Sequence, residues 1–183
     1  MKVIGQITSH EISEILGMLA NGVDELLIPV RTSKRGVPIV AQRDDLPGAT
    51  LVDVLDFIGD LVPVILDIRP RGNLDEVYTI AKDAKYTPAI ASHAVEVLDY
   101  LYLKDPDLRL GMRETQHRVI ACDKVPWNVS FVIVRDGITE RGRVGKLRKS
   151  TGQSIEVFIQ LDQFGDEQRG GMGNDGIVIH TAY

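Results

Sequence analysis

Short apolar runs alternate with amphipathic stretches along almost the whole chain. Residues 3–6, 25–30, 37–41, 62–68, 88–91, 108–112, 130–134, 155–161 and 176–179 are strand-sized, rich in aliphatic residues and bounded by polar or turn residues. That pattern predicts buried strands, because a buried helix needs a longer apolar stretch. The segments between them carry helical signals. Thr8 and Glu11 have the spacing of a capping box, and Ile12, Ile15, Leu16 and Leu19 follow as an apolar stripe that Asn21-Gly22 would end. Thr50 is placed to cap a helix with Leu51, Val54, Leu55 and Ile58 inward. Asn73 is placed to cap one with Leu74, Val77, Tyr78 and Ala81 inward. Ser92 would open a helix running to about residue 104. A basic helix is expected over 139–149, and a short one near 166–170.

Strand, helix, strand in steady alternation predicts a parallel sheet with crossover helices. The α/β class follows, and within it a compact (β/α)8 TIM-type barrel formed by residues 1–183 as one domain. The chain of 183 residues is short for such a barrel, so the loops must be lean. The shortness also leaves room for a homo-oligomer in which a second copy supplies a displaced helix. About nine runs are present, one more than an eightfold barrel uses. An open doubly wound sheet is the rival architecture, but neither a GxGxxG turn nor a Walker sequence is present to support it.

Composition narrows the function classes. Lys and Arg number 21 against 26 Asp and Glu, for a net charge of -5, which argues against a nucleic-acid binder. Cys122 is the only cysteine, so neither an internal disulfide nor a CxxC site can form. This fits a cytoplasmic location. The N-terminus turns polar at once, and no apolar run has the length of a membrane span.

Four stretches resemble the glycerophosphodiester phosphodiesterase family, in the family's order. Residues 22–40 read GVDELLIPVRTSKRGVPIV, similar to the family's G-A-D-x-I-E-x-D-V-x-x-T-x-D-G-x-P-V-V. Residues 64–69, VILDIR, are similar to a strand ending E-x-K. Residues 89–93, AIASH, with DPDLRLG at 105–111, resemble the family's S-F strand and the P-x-x-x-x-G strand after its helix. Residues 173–180, GNDGIVIH, are similar to the closing G-V-D-G-I-I-T-D. The resemblance implies a (β/α)8 barrel. It also implies phosphodiester hydrolysis in lipid metabolism, by a divalent cation and two histidines.

Carried over residue by residue, the resemblance implies that most of this machinery is replaced. The first histidine falls at Gln6. The E-x-D metal pair becomes Leu27 and Pro29, which cannot hold a cation, so no cofactor is expected. The second histidine and its aspartate become Gln42 and Arg43. The E-x-K pair becomes Asp67 and Arg69. The phenylalanine of S-F is His93, and the final aspartate is His180.

Ligand sites of such barrels lie at the C-terminal strand ends. Gln6, Arg43, Asp67 and Arg69 are therefore expected to form a metal-free site for a small phosphorylated or anionic ligand, since arginine grips phosphate bidentately. The plain alternative is that Arg69 pairs with Asp67 and fills the mouth. A second reading keeps altered hydrolysis, with His93 and His180 as an acid–base pair and Asp67 orienting one of them. A third makes the barrel an interaction scaffold, with Arg141, Arg143, Lys146, Arg148 and Lys149 as its surface. Gly142 and Gly145 would weaken that helix and suit close packing. Trp127 is expected at the core's edge, and His10 and His117 in solvent.

Overall fold

The computed structural model of the chain describes residues 1–8, 11–42, 48–70, 72–115, 117–135, 142–151, 155–161 and 175–180. Its strands are β1 (Lys2–Gln6), β2 (Glu25–Thr32), β3 (Pro38–Val40), β4 (Ala49–Thr50), β5 (Val64–Ile68), β6 (Ala89–Ser92), β7 (Leu110–Arg113), β8 (Phe131–Arg135), β9 (Glu156–Gln160) and β10 (Gly176–His180). The α-helices among the described residues are α1 (Ile12–Ala20), α2 (Leu51–Ile58), α3 (Leu74–Asp83), α4 (Val95–Lys104) and α5 (Arg143–Thr151). All nine apolar runs are strands, and the two-residue β4 adds a tenth.

Eight of the strands close a parallel barrel in the order β1, β10, β9, β8, β7, β6, β5, β2, with β2 pairing back onto β1. The run at 37–41 is the one outside it. There β3 folds back antiparallel on β2 through a turn at Gly36, whose φ of 84° suits only glycine, and β4 pairs onto β3.

Two apolar layers hold this arrangement. Inside the barrel lie Ile4, Leu27, Ile65, Ala91, Phe131, Ile133, Phe158 and Val178. The Phe131 and Phe158 rings meet edge to face at 6.1 Å. Gly111 makes room for them, since a Cβ there would lie 2.1 Å from the Phe131 ring. The alternate strand residues, such as Leu26, Ile28 and Leu66, pack outward against Leu51, Val54, Val77, Val97, Leu98 and Leu101 of the helices.

Helix starts follow local chemistry where the capping side chain is free to act. The Thr50 hydroxyl accepts from Asp53 N at 3.1 Å, and Asn73 Oδ1 accepts from Glu76 N at 3.3 Å. At α1 the expected box does not form, and Glu11 is the N-cap residue. Thr8 instead donates, through its N–H and its hydroxyl, to the buried Glu14 at 2.7 and 2.8 Å. That bond turns Glu14, Ile15 and Met18 inward and leaves Ile12 and Leu16 exposed, against the predicted stripe. Ser92 likewise ends β6. Its hydroxyl donates to Ile68 O and accepts from Ala94 N, and α4 starts three residues later.

Among the described residues between β7 and β8 the one helical element is a 3-10 turn, Cys122–Lys124. Trp127, in this segment, is 68% exposed and contacts Tyr102 edge to face, so it does not sit in the core. His117 is exposed, as expected. The short helix near 166–170 and His10 lie outside the described residues. Among the described residues no helix is long and apolar enough to cross a membrane.

The N-terminal end of the barrel is closed by charge. Glu25 accepts from Lys2 at 3.1 Å and from Arg109 at 3.1 Å, while Glu156 accepts from Arg109 at 2.7 Å and from Lys2 at 3.3 Å. The Arg109 guanidinium also lies over the Phe131 ring at 4.8 Å. Burial opposes ionisation of Glu156, but Arg109 and Lys2 outweigh it and hold the carboxyl below its usual range.

Candidate functional site

At the opposite end the parallel strands bring their last residues together, and the strand period of two decides which face inward. Gln6 follows Ile4 on β1, Asp67 follows Ile65 on β5, and Gln160 follows Phe158 on β9. Each is therefore the polar top of an apolar interior column.

Arg113, the last residue of β7, joins them. It donates through NH1 to Asp67 Oδ2 at 2.5 Å, and through NH2 to Gln6 Oε1 at 3.0 Å and Gln160 Oε1 at 3.1 Å. The ion pair is largely buried, with side-chain exposures of 10% for Arg113 and 13% for Asp67. Arg31 of β2 is buried beside it and donates through NH1 to Val30 O at 2.6 Å and to Asp67 O at 3.3 Å.

The alternative in which Arg69 pairs with Asp67 is not what the structure shows. Asp67 is held by Arg113, while Arg69 lies one residue past the end of β5, exposed and without an ion pair among the described residues. His93 lies one residue past β6 and is half-buried. Burial lowers its pKa below 6.5, the Arg118 and Arg69 charges lower it further, and Asp67 acts in the opposite sense. Arg118 reaches this place from a tight turn after β7, in which Thr115 and Arg118 exchange backbone hydrogen bonds of 3.1 and 3.4 Å.

His180 ends β10 and is in register with Gln6. Three strands separate β10 from β6 on either route round the barrel, so the strand that ends at His180 and the strand that His93 follows stand on opposite walls. Arg43 lies outside the described residues. Sequence reasoning placed Gln6, Asp67, Arg69 and His93 at the mouth and missed Arg113, Gln160, Arg31 and Arg118 as parts of it. A signal for two of them was present. Gln160 is a polar interruption of an apolar run, and Arg113 is the first charge after one.

The proposed basic surface is also revised. Arg143 is buried against Glu114, whereas Lys146 and Lys149 are exposed, and Arg148 bonds Asp175 at 2.6 Å. Arg141 lies outside the described residues. A Cβ at Gly145 would meet nothing within 4 Å, so close packing within the chain does not explain that glycine.

Among the described residues of the mouth few oxygen donors are free for a hard divalent cation. Leu27 is fully buried in the barrel interior, Pro29 offers no side-chain oxygen, and Asp67 is committed to a guanidinium. Such a cation takes six or more oxygens and is repelled by neighbouring positive charge. Among the described residues no three of His, Cys, Asp and Glu gather at one point.

No protein-family model matches the sequence, and no curated protein does. Solved structures do match. A phosphodiesterase from Oleispira antarctica in complex with the product sn-glycerol-3-phosphate superposes with a TM-score of 0.79 at 12% identity, over 97% of this chain and 92% of that one. A glycerophosphodiester phosphodiesterase from Agrobacterium tumefaciens gives 0.76 at 14% identity, over 97% and 96%. Phosphoribosyl anthranilate isomerase from Thermus thermophilus, another enzyme, gives 0.64 at 11%, over 98% and 87%. The closed barrel, the lean connections and the whole-length superposition together show that this chain has the fold of the glycerophosphodiester phosphodiesterases.

Proposed function

We propose that the chain is a catalytically degenerate phosphodiesterase-type barrel whose mouth binds a small phosphorylated or otherwise anionic ligand without a metal ion. The observation that carries this reading is the charge balance of the mouth. Among the described residues its one inward carboxylate, Asp67, is neutralised by Arg113, and Arg69 and Arg118 stand exposed beside His93. Arginines presented to solvent next to a half-buried imidazole suit a phosphate group, which takes charge-assisted and bidentate hydrogen bonds. Arg43 belongs to this site on the family register. The product complex of the Oleispira antarctica enzyme makes sn-glycerol 3-phosphate a suitable first probe. The lone Cys122 is consistent with work in a reducing cytoplasm.

Thermal unfolding tests the reading. A ligand that binds only the folded chain, at about 100 times its dissociation constant, adds about 2.7 kcal/mol of stability. Inorganic phosphate and sn-glycerol 3-phosphate are expected to raise Tm equally in EDTA and in Mg²⁺. A shift that needs Mg²⁺ and a glycerophosphodiester together would restore a hydrolase reading, and no shift with any of them would favour the scaffold.

A further inference from the structure

One buried charge pair lies outside the mouth and has no part in the binding reading so far. Glu114 follows Arg113 in the chain, so its side chain leaves on the opposite face, away from the barrel axis. Its carboxylate is buried, and so is its partner Arg143, the first residue of α5. Glu114 Oε1 accepts from Ile120 N at 2.8 Å and Oε2 from Arg135 N at 2.8 Å. Arg143 reaches both carboxylate oxygens, and its NH2 also donates to Ile120 O at 2.8 Å. One ion pair thus joins the end of β7, the loop after it, the end of β8 and the start of α5.

Stability alone does not explain such a pair. Removing both charges from water is costly, and well-packed apolar residues at two such positions often serve the fold as well or better. What the ion pair adds is directional geometry, and its bonds enclose one short segment. The bond from Ile120 N closes the chain back on Glu114, and within that closure the Thr115–Arg118 turn projects Arg118. The same turn sets the Arg118 charge near His93, which directly follows the neighbouring strand β6.

We propose that Glu114 and Arg143 are a positioning pair that holds the Arg118 turn over the mouth, so that Arg118 contacts the bound anion and the start of α5 is coupled to the ligand site. The inference rests on the anion-binding reading above. It makes Glu114 and Arg143 matter for affinity although neither touches ligand.

A double-mutant cycle with inorganic phosphate and sn-glycerol 3-phosphate, read by calorimetry, separates this from a structural role. Arg118→Ala is expected to weaken binding about tenfold, and Glu114→Gln severalfold, in line with the loss of one charge-assisted hydrogen bond. In the double variant the loss should equal that of Arg118→Ala alone, because Glu114 acts through Arg118. Arg143→Lys keeps the buried charge and loses the fork. It is the second variant should Glu114→Gln not fold, and its affinity loss should likewise vanish in the Arg118→Ala background. Losses that add, or a lower Tm with unchanged affinity in either variant, would overturn the proposal and leave the mouth reading standing. Absence of binding by the wild-type chain would remove both.

Discussion

The two ends of this barrel are both built from charged side chains, and they differ in how those charges balance. At the N-terminal end two cations, Lys2 and Arg109, and two carboxylates, Glu25 and Glu156, alternate so that each meets both opposite charges. At the C-terminal end, among the described residues, Arg113 pairs with the inward carboxylate of Asp67, and Arg69 and Arg118 stand exposed near His93. A balanced ring closes a barrel and asks nothing of solvent or ligand. An excess of one sign repels itself and raises the local potential, which costs stability unless a counter-ion or ligand uses it. The excess is positive although the chain as a whole carries -5, so it does not follow from bulk composition. On the proposed reading the N-terminal end is structural and the mouth is the functional end, in keeping with where barrels of this type place ligand sites.

Substitutions at the two ends should break in opposite ways. Replacing Arg69 and Arg118 together with alanine should lower phosphate affinity about 100-fold by titration calorimetry, one tenfold step for each charge-assisted contact. The same variant should change stability by no more than about 0.5 kcal/mol, because both side chains are exposed. If affinity survives that change, the contrast between the ends has no functional content.

A smaller effect, of the opposite kind, is expected at the floor. Arg109→Ala removes a partner from both Glu25 and Glu156. Glu25 is nearly buried and Arg109 about one-third exposed, so the cost in urea unfolding should be about 2 kcal/mol, below that of a fully buried pair. Phosphate affinity should stay within about twofold, since no floor side chain reaches the mouth.

The smallest effect sharpens the comparison instead of breaking it. An NMR titration should place His93 below 6.5, since burial disfavours the imidazolium and Arg118 and Arg69 repel it. As pH falls through 6.5 the unfolded imidazole takes the proton first. The stability contributed by neutral His93 is therefore present above that value and is lost as pH drops below it. Bound phosphate should raise the His93 pKa by adding negative charge beside it. A value above 6.5 in the free protein would mean that Asp67 and Glu96 outweigh burial and the two arginines.

How far the sequence leads can be read from particular elements. Every strand of the barrel lies on an apolar run, because a strand buried on both faces cannot carry a polar stretch. The Thr50 and Asn73 caps act as their spacing demands, since capping is chemistry between residues three apart. The α1 stripe was misread for a tertiary reason. The first turn of that helix is oriented by Glu14, drawn inward to the Thr8 backbone two residues past β1, and the contact rotates Ile12 and Leu16 into solvent.

The sequence by itself determined the alternation that makes this an α/β barrel, the side chains without oxygen at Leu27 and Pro29 of β2, and the arrival of Gln6, Asp67, Arg69 and His93 at one end. Only the tertiary structure decided which arginine Asp67 would keep. Arg69 sits two residues along the same chain, about 6.6 Å away where the strand is regular, and past the end of β5. Arg113 arrives from β7, two strands round the barrel, and points across the interior at the same height. Closure of the sheet brings that distant guanidinium into contact and leaves the near one in water. The charge partner in this mouth is therefore set by the curvature of the barrel and not by separation in the chain.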